Sequence, residues 1–449
     1  MKLRNLSIAI VVLAALLGVL YWSNHRKAKE DTNVKASADT PPKILSLNQA
    51  DVTGLRFERK DQPEVALSLN GPGNWQITAP TPLHADQDTV SNLLSALSSV
   101  SSERLLDEKA SDLASYGLAN PPLQVDVTLK DGKTQKLLVG DPTAVGNSYY
   151  AMLAGDPRLF TIASYTKTNV DKSLNDLRDK RLFTADFDKV SQIELLNQKP
   201  DKKQDITFAR EKDAWEIQKP KPYRADSYQV DDLLRALREA KFEAAVDEQN
   251  PKLAASFKSA NPLATVKVTG ASGTQDLELR KDKDDYYAKS SALAGIYKVP
   301  ASLATSLDKG LDDFRNKKIF DLSYEDPEKV ELHDGSKSYF LTRSGSDWWG
   351  SDGKKLDEGS TEAVVDKIRQ LSADKFPDSG FAAPLMEITV TSNGGKRVEK
   401  VSLSKSGDSY IAKRENEPEL YELPASTVSD LQQAAAGLKP AAPEEKPKK

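Results

Sequence analysis

Three histidines, His25, His84 and His333, are the whole imidazole supply of this 449-residue chain, and no two are spaced to share a metal ion. A zinc site needs three or four nitrogen, sulfur or carboxylate ligands converging on one centre, and the chain has no cysteine to supplement them. The same absence removes thiolate nucleophiles, disulfides and acylation at a lipobox cysteine. Ser164 with Lys167, and Ser306 with Lys309, match the serine–lysine spacing of penicillin-recognising enzymes, but the Ser-Asp-Asn and Lys-Thr-Gly companions are missing. Gly132-Lys133-Thr134 looks like the end of a phosphate loop, yet Val127 stands where its first glycine is needed, so it reads as a hairpin turn. Asp282, Asp284 and Asp285 suggest calcium, but an EF-hand loop requires a glycine and a closing glutamate where Tyr287 and Leu293 stand. They read as a polar hairpin tip. No catalytic, cofactor-binding or metal-ligating residue is therefore assigned. The aromatic pairs Tyr149-Tyr150, Tyr286-Tyr287 and Trp348-Trp349 could stack on a sugar or peptide. Strand neighbours point to opposite faces, so one ring of each pair is outward or half covered, and recurrence at equivalent positions favours use in the core.

What positions these residues is a unit written three times. Each copy opens with alternating apolar residues (Leu55, Phe57; Ile193, Leu195; Val330, Leu332) and continues to a tryptophan (Trp75; Trp215; Trp348 or Trp349). A helix follows: Ala85-Asp86, Val90, Leu93, Leu94, Leu97 against Ala225-Asp226, Val230, Leu233, Leu234, Leu237, and more loosely Ser360, Val364, Ile368, Leu371. Asp86, Asp226 and Ser360 are expected N-caps, with Gln229 completing a capping box. Next come Pro121, Pro262 and Pro384 ahead of alternating strands, then tyrosine strands at Tyr149, Tyr286 and Tyr410. Ala163-Ser164, Ala301-Ser302 and Ala425-Ser426 close the series. Shared identities in fixed order argue for duplication. A second helix is expected over about 167–180 and 302–317, each leading through an Arg/Lys-rich ending to Phe183 or Phe320, and lost from the third copy.

The expected fold class is α+β: an N-terminal transmembrane helix, then three tandem modules of mainly antiparallel sheet with helices on one face. The expected segments are anchor 1–23, flexible linker 24–43, modules 44–184, 185–321 and 322–438, and a disordered tail 439–449. Leu6 to Trp22 carry no charge, and about 17 residues at 1.5 Å rise span roughly 25 Å. Tyr21-Trp22 suit the headgroup region, and no small-x-small cleavage site follows. Cations flank the segment on both sides, so the short N-terminal tail and the missing cysteine decide the orientation, with the modules in a periplasm. Charged residues make up 29% with net charge −4, an ordinary solvated surface without the basic stripe of a nucleic-acid binder.

The set of a tryptophan strand, an Ala-Asp-started helix, Tyr116-Gly117-Leu118 ahead of Asn120-Pro121, and Arg/Lys-rich endings before Phe183 and Phe320 resembles bacterial proteins grouped as domain of unknown function 4340. The likeness covers about residues 44–438. Phe257-Lys258-Ser259 replaces the tripeptide in the second copy, and only Gly380-Phe381 is kept in the third. The resemblance implies association with ABC transporters of the gliding-motility type. The expectation is a single-pass inner-membrane protein with its modules in the periplasm, a non-catalytic scaffold or accessory whose partners are membrane proteins such as ABC transporter subunits. The alternatives are a binder of cell-wall glycan or secreted polymer, and an uncharacterised hydrolase.

Overall fold

The computed structural model describes residues 42–199, 203–212, 214–243, 251–322 and 327–442. The expected anchor, nearly all of the linker and the end of the tail lie outside these residues, among which no helix is long and apolar enough to cross a membrane.

Three antiparallel sheets of nine, eight and seven strands follow one another along the chain. In the first, the order from one edge is Leu83–His84, Trp75–Ala79, Val65–Leu69, Val52–Arg59, Leu123–Leu129, Thr134–Pro142, Ser148–Leu153, Leu159–Ala163 and Arg104–Asp107. Val190–Asn197 and Lys329–Asp334 occupy the place of Val52–Arg59 in the other two, between the tryptophan-strand meander and the long hairpin. The opening strand thus sits mid-sheet, and the chain must leave the sheet to reach its other side. The helices Gln87–Ser98, Ser227–Arg238 and Glu358–Gln370 make that crossing.

Alternation decides the packing. In module 1, Leu55, Phe57, Val125, Val127, Leu137 and Val139 present one buried face to Val90, Leu93, Leu94 and Leu97 of the helix. Modules 2 and 3 have their own cores, built the same way. The chain crosses into the second core at Leu182 and Phe183, and into the third at Ile319 and Phe320, so the basic endings feed directly into a new interior. By compactness the chain forms two units, one up to Asp179 and one from Lys180 onward that holds modules 2 and 3.

Helix starts follow backbone chemistry. The Asp86 side chain accepts from the Thr89 amide, and Asp226 from the amides of Tyr228 and Gln229. In module 3 the cap is Asp357, which accepts from the Ser360 amide, three residues before the expected start. Gln229 does not complete a capping box; its side chain accepts from Lys309. Asp226→Ala is expected to cost about 1 kcal/mol, by loss of an acceptor for otherwise unsatisfied amides. Urea melts of the full chain measure it, and an unchanged profile would mean solvent satisfies those groups equally well.

The second helical element is broken where one helix was expected. Module 1 has Ser164–Val170 and Leu174–Leu177, the latter started by a Ser173–Asp176 capping box, and module 2 has Ala301–Leu307 and Leu311–Phe314. Module 3 keeps the element, contrary to expectation, as the continuous helix Ala425–Ala436. What it lacks is only the basic ending that leads to a following module. Leu356 bridges Pro440 there, as Ala85 bridges Arg178 and Ala225 bridges Arg315. The closing pairs also align differently: Ala163, Pro300 and Pro424 are the corresponding N-caps, so Ser164 matches Ala301 and not Ser302.

In modules 1 and 2 part of the sheet face away from the long helix is covered as well. In module 1 the segment around Tyr116-Gly117-Leu118 lies over Leu159, Met152 and Tyr150, with the Tyr116 and Tyr150 rings 4.8 Å apart edge to face. Gly117, with φ +68°, and Gly140 permit this contact: a Cβ on Gly117 would fall 2.5 Å from Asp141, and one on Gly140 2.2 Å from the Tyr116 carbonyl. In module 2 the helix Pro251–Ser259 takes that face, with Phe257 under the Arg280 guanidinium. Helices are therefore not confined to one side.

Candidate functional site

The sequence candidates do not converge. His84 lies exposed on an edge strand, and His333 Nδ1 is 2.8 Å from Ser338 Oγ with its ring edge-on to Phe340. Lys167 Nζ is bonded to Asp171 at 2.7 Å and lies 5.3 Å from the Tyr149 ring centroid, directed at the sheet and at the helix end. The Ser306 hydroxyl bonds the Ser302 carbonyl and Lys309 bonds Gln229, so that pair faces other partners too. Gly132 occupies a left-handed turn beside an Asp131–Lys133 ion pair, and Asp282 pairs with Asp285 across the hairpin tip formed by Lys283. Among the described residues no group of three or more His, Asp or Glu is placed to hold a metal ion.

Each aromatic pair divides its rings between faces. Tyr149 and Tyr286 pack against the main cores, whereas Tyr150 joins Tyr116 on the far side. Trp348 is buried at 5% exposure and Trp349 stands out at 36%.

A clasp missed by sequence reasoning recurs in all three modules. It ties the end of the opening strand to the second helical element, eight residues after its N-cap: Arg59 to Asp171 at 2.8 Å, Lys199 to Asp308, and Gln432 to Asp334 at 3.1 Å. Burial pushes the Asp171 carboxyl up, but hydrogen bonds from Lys167 and Arg59 outweigh it and hold the group below the ordinary aspartate range. Since the chemistry changes from copy to copy while the position stays, the clasp serves the fold. In module 2, Ala304 takes the place of Lys167 and a cavity of about 250 Å³ opens beside the clasp, lined by Ala264, Leu279, Leu307 and the stems of Lys199 and Lys281.

The densest ionic arrangement lies where module 2 meets module 3. Arg224, on the short edge strand Tyr223–Arg224, donates to Asp321 at 2.8 Å, to the Lys318 carbonyl at 2.6 Å and to the Tyr421 hydroxyl at 3.3 Å. Its Nε lies 3.3 Å from Glu417 without hydrogen-bond geometry. Beneath it, Arg414 bonds Glu399 at 2.9 Å, Glu417 at 2.8 Å and the Ile319 carbonyl. Arg397 joins Asp321 at 2.8 Å and Glu399 at 3.4 Å. Arg315 is sandwiched between the rings of Tyr223 (4.3 Å) and Phe376 (3.7 Å).

These groups shift one another's protonation. Burial pushes the Tyr421 hydroxyl up to about 12, Arg224 opposing and Glu417 assisting. For Arg224 burial pulls downward, and the charges of Asp321, Tyr421 and Glu417 more than reverse it, so the guanidinium is held charged. Glu419 is raised by burial and by Glu417, and takes up a proton at a higher pH than an ordinary glutamate. The raised Tyr421 value makes its share of stability fully present below pH 10 and lost as pH rises through about 12. Ultraviolet titration of Tyr421→Phe against the parent should remove one late-ionising phenol; an unchanged alkaline limb would contradict this placement.

Perturbed groups gather at catalytic centres and at structural ion networks alike. Here Arg224, Arg397 and Arg414 are matched by Asp321, Glu399 and Glu417, and Arg315 is held between two rings, so the arrangement can orient two modules.

No curated protein matches the chain. One solved structure, a DnaN sliding clamp (DNA polymerase III subunit beta) from Pseudomonas aeruginosa bound to griselimycin, aligns over 85% of this chain and 93% of its own at 8% identity. The TM-score of 0.14 gives that alignment no weight. The model of the domain of unknown function DUF4340 matches twice, over 75–216 and 215–386. Each match starts at the tryptophan of one module and the first ends at the tryptophan of the next, so the family unit is offset from the folded module by its opening strands. With the two matches running across well over half the chain, this protein belongs to the DUF4340 family.

Proposed function

We propose that the chain is a membrane-anchored extracytoplasmic scaffold, an accessory of an ABC-type transport system, without catalytic activity of its own. The observation that carries this reading is the employment of recurring polar residues as caps, clasps and inter-module ties. An array of modules with separate cores offers partners a series of similar surfaces. The apolar, uncharged stretch Leu6–Trp22 supplies the anchor in this reading, and the polar residues 24–43 the tether. A reporter active only outside the cytoplasm, fused after Lys449, should give signal; signal only from a cytoplasmic reporter would reverse the topology.

Binding of cell-wall glycan is the competing reading, and among the rings of the three aromatic pairs Trp349 is the most open for it. Retention on peptidoglycan that is lost on Trp349→Ala would favour that alternative. The scaffold reading expects no retention.

A further inference from the structure

We propose that modules 2 and 3 are locked into a single rigid arm by an ionic latch centred on Arg224, with Arg315 as its second bolt. The two hydrophobic cores are separate, one ending at Phe314 and the other starting at Ile319, so no shared apolar interior fixes their mutual orientation. What spans the boundary is polar. Arg224 leaves the edge of the second sheet and reaches Asp321, Glu417 and Tyr421 of the third, while Arg315 reaches Phe376.

Comparison of the copies shows that the module fold does not require these charges. Strand registers place Gln275 of module 2 where module 3 has Glu399, and Ser290 where it has Arg414. Module 2 closes that corner with neutral groups: Gln275 bonds both the amide and the hydroxyl of Thr184, and the Ser290 hydroxyl bonds the Leu182 carbonyl. In module 3 the amide partner is Asp321, bonded by Glu399, and the carbonyl partner is Ile319, bonded by Arg414. The same two backbone groups are satisfied in both copies. Burying Glu399 and Arg414 costs desolvation that a Gln–Ser pair avoids, and ion pairs are retained where they fix one arrangement against others. The extra charge in module 3 turns a local hydrogen-bond corner into the socket that receives Arg224.

The chain has no cysteine, so two introduced thiols label specifically. Spin labels at Tyr228→Cys in module 2 and Val398→Cys in module 3, both exposed positions, report the distance between the modules in the full chain. The latched pair gives one narrow distance distribution. Arg224→Met, and independently Glu417→Gln, should broaden it several-fold with circular dichroism unchanged, whereas Arg210→Met, which removes only a guanidinium over Trp215, should leave it narrow. A broad distribution in the parent chain, or one equally narrow in both folded latch variants and in Arg224→Met combined with Arg315→Met, would overturn the proposal. Should Arg224→Met fail to fold, Glu417→Gln decides alone.

Discussion

Arg414→Met is expected to destabilise module 3 by about 3–5 kcal/mol, the cost of removing one partner from a buried ion pair. Arg414 is 8% exposed and Glu399 7%, and the guanidinium serves Glu399, Glu417 and the Ile319 carbonyl together. Methionine fills most of the volume and leaves a buried carboxylate with Arg397, 3.4 Å away, as its one cation and the Asp321 amide as its donor, and a carbonyl without its guanidinium partner. Since the modules have separate cores, hydrogen exchange resolved by strand is the suitable readout. Amides of Met386–Ser392 and Arg397–Ser406 should lose protection while those of module 2 keep theirs. The double change Glu399→Gln with Arg414→Ser installs the neutral corner of module 2 and should recover much of the loss. A loss below about 1 kcal/mol for Arg414→Met would place the group in the class of weak surface pairs.

Gly140→Ala is the second large effect. Its Cβ would meet the Tyr116 carbonyl at 2.2 Å and Leu118 Cγ at 3.0 Å, and the obstructing atom is backbone, which cannot rotate aside. The overlying segment must lift, exposing Leu118, Met152 and Leu159, with a cost of about 1–3 kcal/mol or more. Limited proteolysis should then cut within residues 108–121 while the sheet survives. Gly132→Ala, at a hairpin turn with open space around it, is the control: it carries only the strain of a positive φ. Equal resistance of Gly140→Ala and the parent would mean the segment is not held by this contact.

Much of the architecture was legible in the sequence because it depends on periodicity and local chemistry. Alternation at Leu55-Phe57 and Val125-Val127 announced paired strands with one buried face, and Asp86 and Asp226 announced helix starts. Asp357 was missed because Ser360 suggested a cap of its own, although its amide is the group being capped. The final helix of module 3 was missed because its counterparts were recognised by a basic ending that belongs to the following junction. The Tyr116-Gly117-Leu118 motif is visible in the sequence but its reason is not, since Gly140, which it rests on, is distant in sequence. The junction network was illegible for the same cause: Arg224, Asp321, Arg397, Arg414 and Glu417 come from separate strands and loops, and only register brings them together. Within the sequence, the substitution of Gln275 by Glu399 and Ser290 by Arg414 at matching repeat positions was the signal that could have revealed it.

The scaffold reading is tested most directly by isolating the full-length chain from native membranes in mild detergent and identifying what accompanies it. The account predicts an ATPase and a permease subunit in fixed proportion to the chain. Recovery of the chain alone, with its transporter-free state unchanged by chemical cross-linking before extraction, would contradict it.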